Sequence, residues 1–287
     1  MENLKLFIQL SRLDKPIGYM LLFWPCLWGL TIAYNFENNS NTYFFYLILF
    51  FLGSVFMRSA GCIVNDIVDR NYDKKVLRTK SRPIASEKIS VKLGFFYIVV
   101  LCLLALLVLL QFNKSTIILG LASMPLAFSY PYVKRLTYWP QLFLGITFNY
   151  GLLIGWTSIQ ENLSLIPIIL YIGAIFWTLG YDTIYGIQDI SDDEVIGVKS
   201  TAIKFKKNLN LFIGSCYLIS SAIILFIMMT LKINYSLIFS IFFVLSLFYQ
   251  IKICQIKSSQ NCLRAFKLNN LSALTVFAGF FLLTFEI

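Results

Sequence analysis

Asn65, Asp69 and Asp73 follow one another at four-residue steps, so on a helix they form a single column of oxygen donors. Like charges stacked this way repel by roughly a few tenths of a kcal/mol per pair in water. A helix that keeps such a column implies a cation held against it. The set contains no imidazole or thiol, which favours a hard ion, Mg²⁺ ahead of Ca²⁺ or a transition metal. A basic run follows at once: Lys74, Lys75, Arg78, Lys80 and Arg82. Seven residues before Asn65, on nearly the same face, Arg58 lies inside an apolar run.

A second acidic stretch repeats the theme. Asp182, Tyr185, Asp189 and Asp193 are separated by three, four and four residues, which predicts one shared helical face, and Lys199 follows. Asp66 and Asp192 stand beside these columns, leaving the metal register open between Asp66 and Asp69 and between Asp192 and Asp193. One acidic loop is ordinarily a solvated connector. Two, each at the end of an apolar run and each followed by cations, point to a binding site. Facing each other, such clusters would hold the oxygens of a diphosphate through bound metal, with Lys and Arg neutralising the rest. An aromatic-rich surround suits a diphosphate carrying a long apolar tail. Loss of pyrophosphate from it leaves an allylic cation, which needs exclusion of water and aromatic faces worth about 0.5–2 kcal/mol each. Tyr130, Tyr132, Phe148, Tyr150, Trp177, Tyr181 and Tyr185 are candidates for those faces.

The elements that position these residues are membrane-spanning. Of 287 residues 58% are hydrophobic and 13% charged, about half the charge of a soluble domain. Continuous apolar runs fall near 17–35, 43–64, 92–111, 115–133, 139–160, 164–187, 209–231, 234–251 and 269–286. They predict nine transmembrane helices, because the runs do not alternate as barrel strands do. Of the 24 lysines and arginines, 21 fall on the side of the N-terminus, which the positive-inside rule makes cytoplasmic. Nine of the fourteen acids lie in the two loop regions 65–92 and 182–208 of that same side, where topology gives no reason for them. The absence of histidine removes His-based catalysis and most zinc sites, and six cysteines without a C-x-x-C pair read as packing residues. Short, separated basic loops argue against nucleic acid. No cleavable leader is expected, and no linker divides residues 1–287, which read as one membrane-embedded domain.

The runs Ala60–Asp73 with Arg78-Thr79-Lys80-Ser81-Arg82-Pro83, and Tyr181–Asp193 with Ile196–Ala202, resemble the two motifs of the UbiA intramembrane prenyltransferases. Arg12–Gly18, Trp24–Leu30 and Tyr130–Arg135 are similar to the bacterial 4-hydroxybenzoate polyprenyltransferases within that family. The resemblance runs from Arg12 to about Asn270 with every motif in order.

It implies an all-α bundle of nine transmembrane helices around a central cavity, multi-pass in a bacterial inner (cytoplasmic) membrane, with the acidic motifs on the cytoplasmic side. Asn65, Asp69, Asp73, Asp189 and Asp193 are then Mg²⁺ ligands. Arg78, Lys80, Arg82, Lys134 and Lys199 are expected at the diphosphate, and Arg58, Arg135, Asp182 and Tyr185 at the aromatic acceptor. Asp69, Asp189 and Arg135 are the expected catalytic residues. The implied partners are a polyprenyl diphosphate, 4-hydroxybenzoate and the lipid bilayer. The implied reaction joins the prenyl group to the ring carbon ortho to the hydroxyl, as in ubiquinone synthesis. A sibling enzyme with another aromatic acceptor and a polytopic transporter are the alternatives. Charges gathered at one membrane face, not at the midplane, weigh against the transporter.

Overall fold

A computed structural model describes residues 2–34, 40–76, 79–232, 234–254 and 258–285. Among them the chain is helical, with no strand. Ten-residue α1 (Glu2–Ser11) is amphipathic and lies against α3 before the first span. The remaining helices are α2 (Ile17–Tyr34), α3 (Ser40–Asp73), α4 (Val91–Leu109), α5 (Lys114–Leu136), α6 (Pro140–Gln160), α7 (Leu165–Gly186), α8 (Ile190–Ile196), α9 (Thr201–Lys204), α10 (Leu209–Leu231), α11 (Ile238–Cys254) and α12 (Ser259–Phe285). Nine helical stretches of the described residues are long and apolar enough to cross a membrane.

Two boundaries move from the sequence expectation. Helix α3 runs unbroken for 34 residues to Asp73, carrying the first acidic column well beyond its apolar stretch. Helix α12 begins at Ser259, ten residues before the apolar run at 269. Hydropathy marks where lipid begins, and both helices extend past it into the basic face.

The centre of the bundle is the α2–α6 pair, packed backbone to backbone. A Cβ on Gly29 would lie 2.0 Å from the Leu152 carbonyl oxygen, and one on Gly155 2.1 Å from that of Cys26. Small residues allow such approach where lipid supplies no hydrophobic drive between helices. Around this pair, buried polar side chains tie the later helices together. The Trp177 indole donates to Asn269 (2.8 Å), the Asn269 amide to Gln250 (2.9 Å), and the Tyr217 hydroxyl to Gln250 (2.8 Å), joining α7, α10, α11 and α12. Such bonds average about 0.6 kcal/mol each in a bilayer, so packing carries most of the stability and the bonds fix register.

Helices α4 and α5 are peripheral. Near their shared turn they touch at Leu109 and Gly120, where a Cβ on Gly120 would lie 2.6 Å from Leu109 Cδ1. Pro125 and Pro131 lie within α5, on the stretch that carries Tyr130, Lys134 and Arg135.

Candidate active site

A cavity of about 1690 Å³ runs from the basic face, where its wall holds Asp66, Asp69 and Asp73, down to Phe50 and Phe112. Asp69 and Phe50 are nineteen residues apart on α3, or about 28 Å along a helix. That is close to the roughly 30 Å hydrocarbon thickness of a bilayer. Val99, Leu103 and Leu121 line the cavity and are each about half exposed, so it opens sideways to lipid between α4 and α5.

The first acidic column is where the spacing predicts. Asn65, Asp69 and Asp73 line the cavity along α3, and both aspartates are buried. Each acid of this motif is met by a cation. Lys134 pairs with Asp69, and Arg135 reaches the same carboxylate at 3.3 Å and the Val68 carbonyl at 3.0 Å. Arg82 bridges Asp66 (3.1 Å) and Asp73 (2.9 Å). Both carboxylate oxygens of Asp66 also accept from Nη2 of Arg12, at 2.9 and 3.0 Å.

The second cluster departs from one continuous face. Helix α7 stops at Gly186, a 3₁₀ turn covers Ile187–Asp189, and α8 resumes at Ile190. A 3₁₀ segment advances by about 20° more per residue than an α-helix, so the column turns between Tyr185 and Asp193. All four side chains still line the cavity, together with Asp192.

Of the other expected residues, Arg58, Arg82, Lys134 and Lys199 are on the cavity wall. Lys199 also donates to the Leu136 carbonyl at 3.2 Å and lies over the Tyr138 ring. Arg135 does not line the cavity. It sits behind Asp69, its guanidinium 4.8 Å from the centre of the Tyr72 ring. Lys80 is exposed and off the wall, and Arg78 lies outside the described residues. Among the aromatic candidates, Tyr130, Phe148, Tyr150, Tyr181 and Tyr185 line the cavity. Tyr132 is half exposed and Trp177 is fully buried away from it.

Arg58 is the deepest cation. Its guanidinium lies over the Phe148 ring at 5.3 Å, and its Nε is buried with no hydrogen-bond partner. Tyr130, Tyr185 and Asp182 share its electrostatic neighbourhood. Gly18 makes room for it: a Cβ there would come within 2.9 Å of Nε. Gly18 and Arg12 were visible in the sequence only as the two ends of the stretch Arg12–Gly18, which leads into the first span. Phe266, which packs on Tyr185 at 4.7 Å, gave no signal among so many phenylalanines.

Among the described residues no three His, Cys, Asp or Glu side chains form a ready cage for a metal. The donor chemistry still fits a hard divalent ion. The cavity mouth offers oxygen ligands from two helical segments, and the cations engaging the first motif are ones an incoming diphosphate would attract.

Residues 22–281 match the sequence model of the UbiA prenyltransferase family. The chain belongs to that family. Mitochondrial 4-hydroxybenzoate polyprenyltransferase of Arabidopsis thaliana is 45% identical over 213 residues, 74% of this chain and 52% of the plant protein. The Caenorhabditis elegans and Homo sapiens enzymes of the same name are 47% and 46% identical over 203 residues each. Those alignments cover 70% of this chain and 56% and 54% of the relatives. The chain thus spans about half the length of the curated relatives it matches. These relatives are mitochondrial, which corrects the expected bacterial inner membrane. The UbiA fold is also seen in solved structures. A UbiA homolog from Aeropyrum pernix K1 superposes with a TM-score of 0.77 at 21% identity, covering 92% of this chain and 97% of that one. A UbiA homolog from Archaeoglobus fulgidus bound to DMAPP and Mg²⁺ superposes with a TM-score of 0.71 at 16% identity, covering 97% and 99%.

Proposed function

We propose that residues 1–287 act as one membrane-embedded unit that transfers a polyprenyl group from its diphosphate to 4-hydroxybenzoate, at the ring carbon ortho to the hydroxyl. The observation that carries this reading is that Asp69 and Asp189, 120 residues apart in the chain, both line one cavity whose lower part is apolar and open to lipid. The names of the relatives support the choice of acceptor.

Asn65, Asp69, Asp73, Asp189 and Asp193 would hold Mg²⁺, which when bound neutralises the diphosphate and eases its departure. Arg82, Lys134 and Lys199 attract and orient the diphosphate, and the exposed Lys80, off the wall, adds to the attraction alone. The tail lies along the apolar wall and leaves between α4 and α5 when it is long. Breaking the C–O bond to the diphosphate creates an allylic cation beside Tyr130, Phe148 and Tyr185, whose ring faces stabilise positive charge. Arg58 takes the acceptor carboxylate, with Asp182 and Tyr185 flanking the ring. The new C–C bond forms at the ortho carbon, and the ring proton passes to Asp189 or to the departing diphosphate. Arg135 holds Asp69 and the Val68 carbonyl in place.

Membranes containing the protein, supplied with Mg²⁺, 4-hydroxybenzoate and a polyprenyl diphosphate, should yield the prenylated acid by mass spectrometry. Membranes lacking the protein should not. Equal yields from both would refute the reading.

A further inference from the structure

Gly61 lies in the interior of α3, where glycine costs a helix roughly 1 kcal/mol relative to alanine. Two structural reasons commonly keep a glycine in such a place, and neither applies. Its backbone is not in the left-handed region; among the described glycines that conformation belongs to Gly197. A Cβ built on Gly61 meets nothing within 4 Å, whereas Gly29 and Gly155 press against a neighbouring backbone. The space beside Gly61 is the cavity itself.

The position is specific. Gly61 is one turn below Asn65 and three residues above Arg58, so it faces the stretch of cavity between the donor column and the deepest cation. That cation has a buried Nε without a partner and one face covered by Phe148. An open slot with an oxygen-donor column at one end and a desolvated guanidinium at the other suits a small planar anion.

We propose that Gly61 is a specificity-determining residue, its missing side chain leaving the slot in which the aromatic ring of the acceptor lies with its carboxylate toward Arg58. The proposal rests on the prenyl-transfer reading and names the place of the acceptor within it. Alanine at 61 keeps the helix and adds one methyl to the slot; valine adds three carbons.

The test compares purified full-length wild type, Gly61→Ala and Gly61→Val with Gly214→Ala. Gly214 is a helical glycine on α10 with equally open surroundings and no place on the cavity wall. Both alanine variants should unfold in detergent at or above the wild-type temperature, as expected for Gly→Ala in a helix. Gly61→Ala should raise the KM for 4-hydroxybenzoate about tenfold, as for a methyl forced into a fitted site, with the KM for the prenyl diphosphate unchanged. Gly61→Val should lose the acceptor altogether, while Gly214→Ala keeps wild-type kinetics. An unchanged acceptor KM in Gly61→Ala, or a rise in the diphosphate KM instead, would overturn the proposal. Failure of the wild type to make any product overturns the prenyl-transfer reading, and the slot with it.

Discussion

Arg12, in the turn after α1, grips both carboxylate oxygens of Asp66, at 2.9 and 3.0 Å. It does so from a backbone φ of 59°, in the left-handed region that a non-glycine residue adopts at a cost of order 1 kcal/mol or more. Asp66 is nearly fully buried and also bonded to Arg82, so two cations converge on it. That network ties the N-terminal segment to the end of α3.

Asp66→Ala should therefore act mainly on stability. Removing one partner of a buried ion pair costs about 3–5 kcal/mol, and the partial exposure of both arginines puts this case at the lower end. Thermal unfolding in detergent should show a clear drop, while the divalent-ion concentration needed for half-maximal activity stays as in the wild type. A variant of wild-type stability with an altered metal requirement would make Asp66 a ligand.

Asp69→Ala and Asp189→Ala should act first on turnover, although Asp69→Ala, which removes a buried carboxylate paired with Lys134 and Arg135, should also lose some thermal stability as Asp66→Ala does. Both residues face the polar mouth, and losing a ligand removes stabilisation of the departing diphosphate. Product formation should fall by orders of magnitude while size-exclusion profiles in detergent remain those of the wild type. Near-normal turnover in either variant would remove that residue from the metal set.

Metal exchange gives an independent handle. An all-oxygen donor set acting on diphosphate oxygens suits a small, octahedral ion, so activity should vanish on chelation. It should return better with Mn²⁺ than with Ca²⁺. Full turnover after exhaustive chelation would contradict the assignment.

Arg135→Lys tests a role that the fold changes. The sequence suggests a contact to the acceptor, yet the guanidinium sits behind Asp69, bonded to its carboxylate and to the Val68 carbonyl. Lysine cannot reproduce that two-point hold. Losing a hydrogen bond to a charged group is worth about 1.5–3 kcal/mol, so kcat should fall by about tenfold or more. The KM for 4-hydroxybenzoate should not move; a selective rise in it would return Arg135 to the acceptor.

The first acidic column was legible because α3 is one continuous helix, so four-residue steps in sequence are neighbours in space. The second was legible only in part. Nothing in Asp182–Asp193 announces the 3₁₀ turn at Ile187–Asp189 that rotates its lower half. The partners of the acids were hidden for another reason. Arg12 and Asp66 are 54 residues apart, and Lys134 and Asp69 are 65 apart. Only the packing of α1 and α5 onto α3 brings them together. Apolar runs located the spans but not the helix ends, since α3 and α12 continue beyond the lipid.

The central claim is that the two acidic clusters serve one transfer between two substrates in one cavity. The most direct measurement follows diphosphate release and prenylated acid together, using purified protein, Mg²⁺, a polyprenyl diphosphate and 4-hydroxybenzoate. One diphosphate should appear for each prenylated ring, and both should disappear together in Asp69→Ala and in Asp189→Ala. Diphosphate released without prenylated ring, or a ring prenylated at the wild-type rate in either variant, would contradict the account.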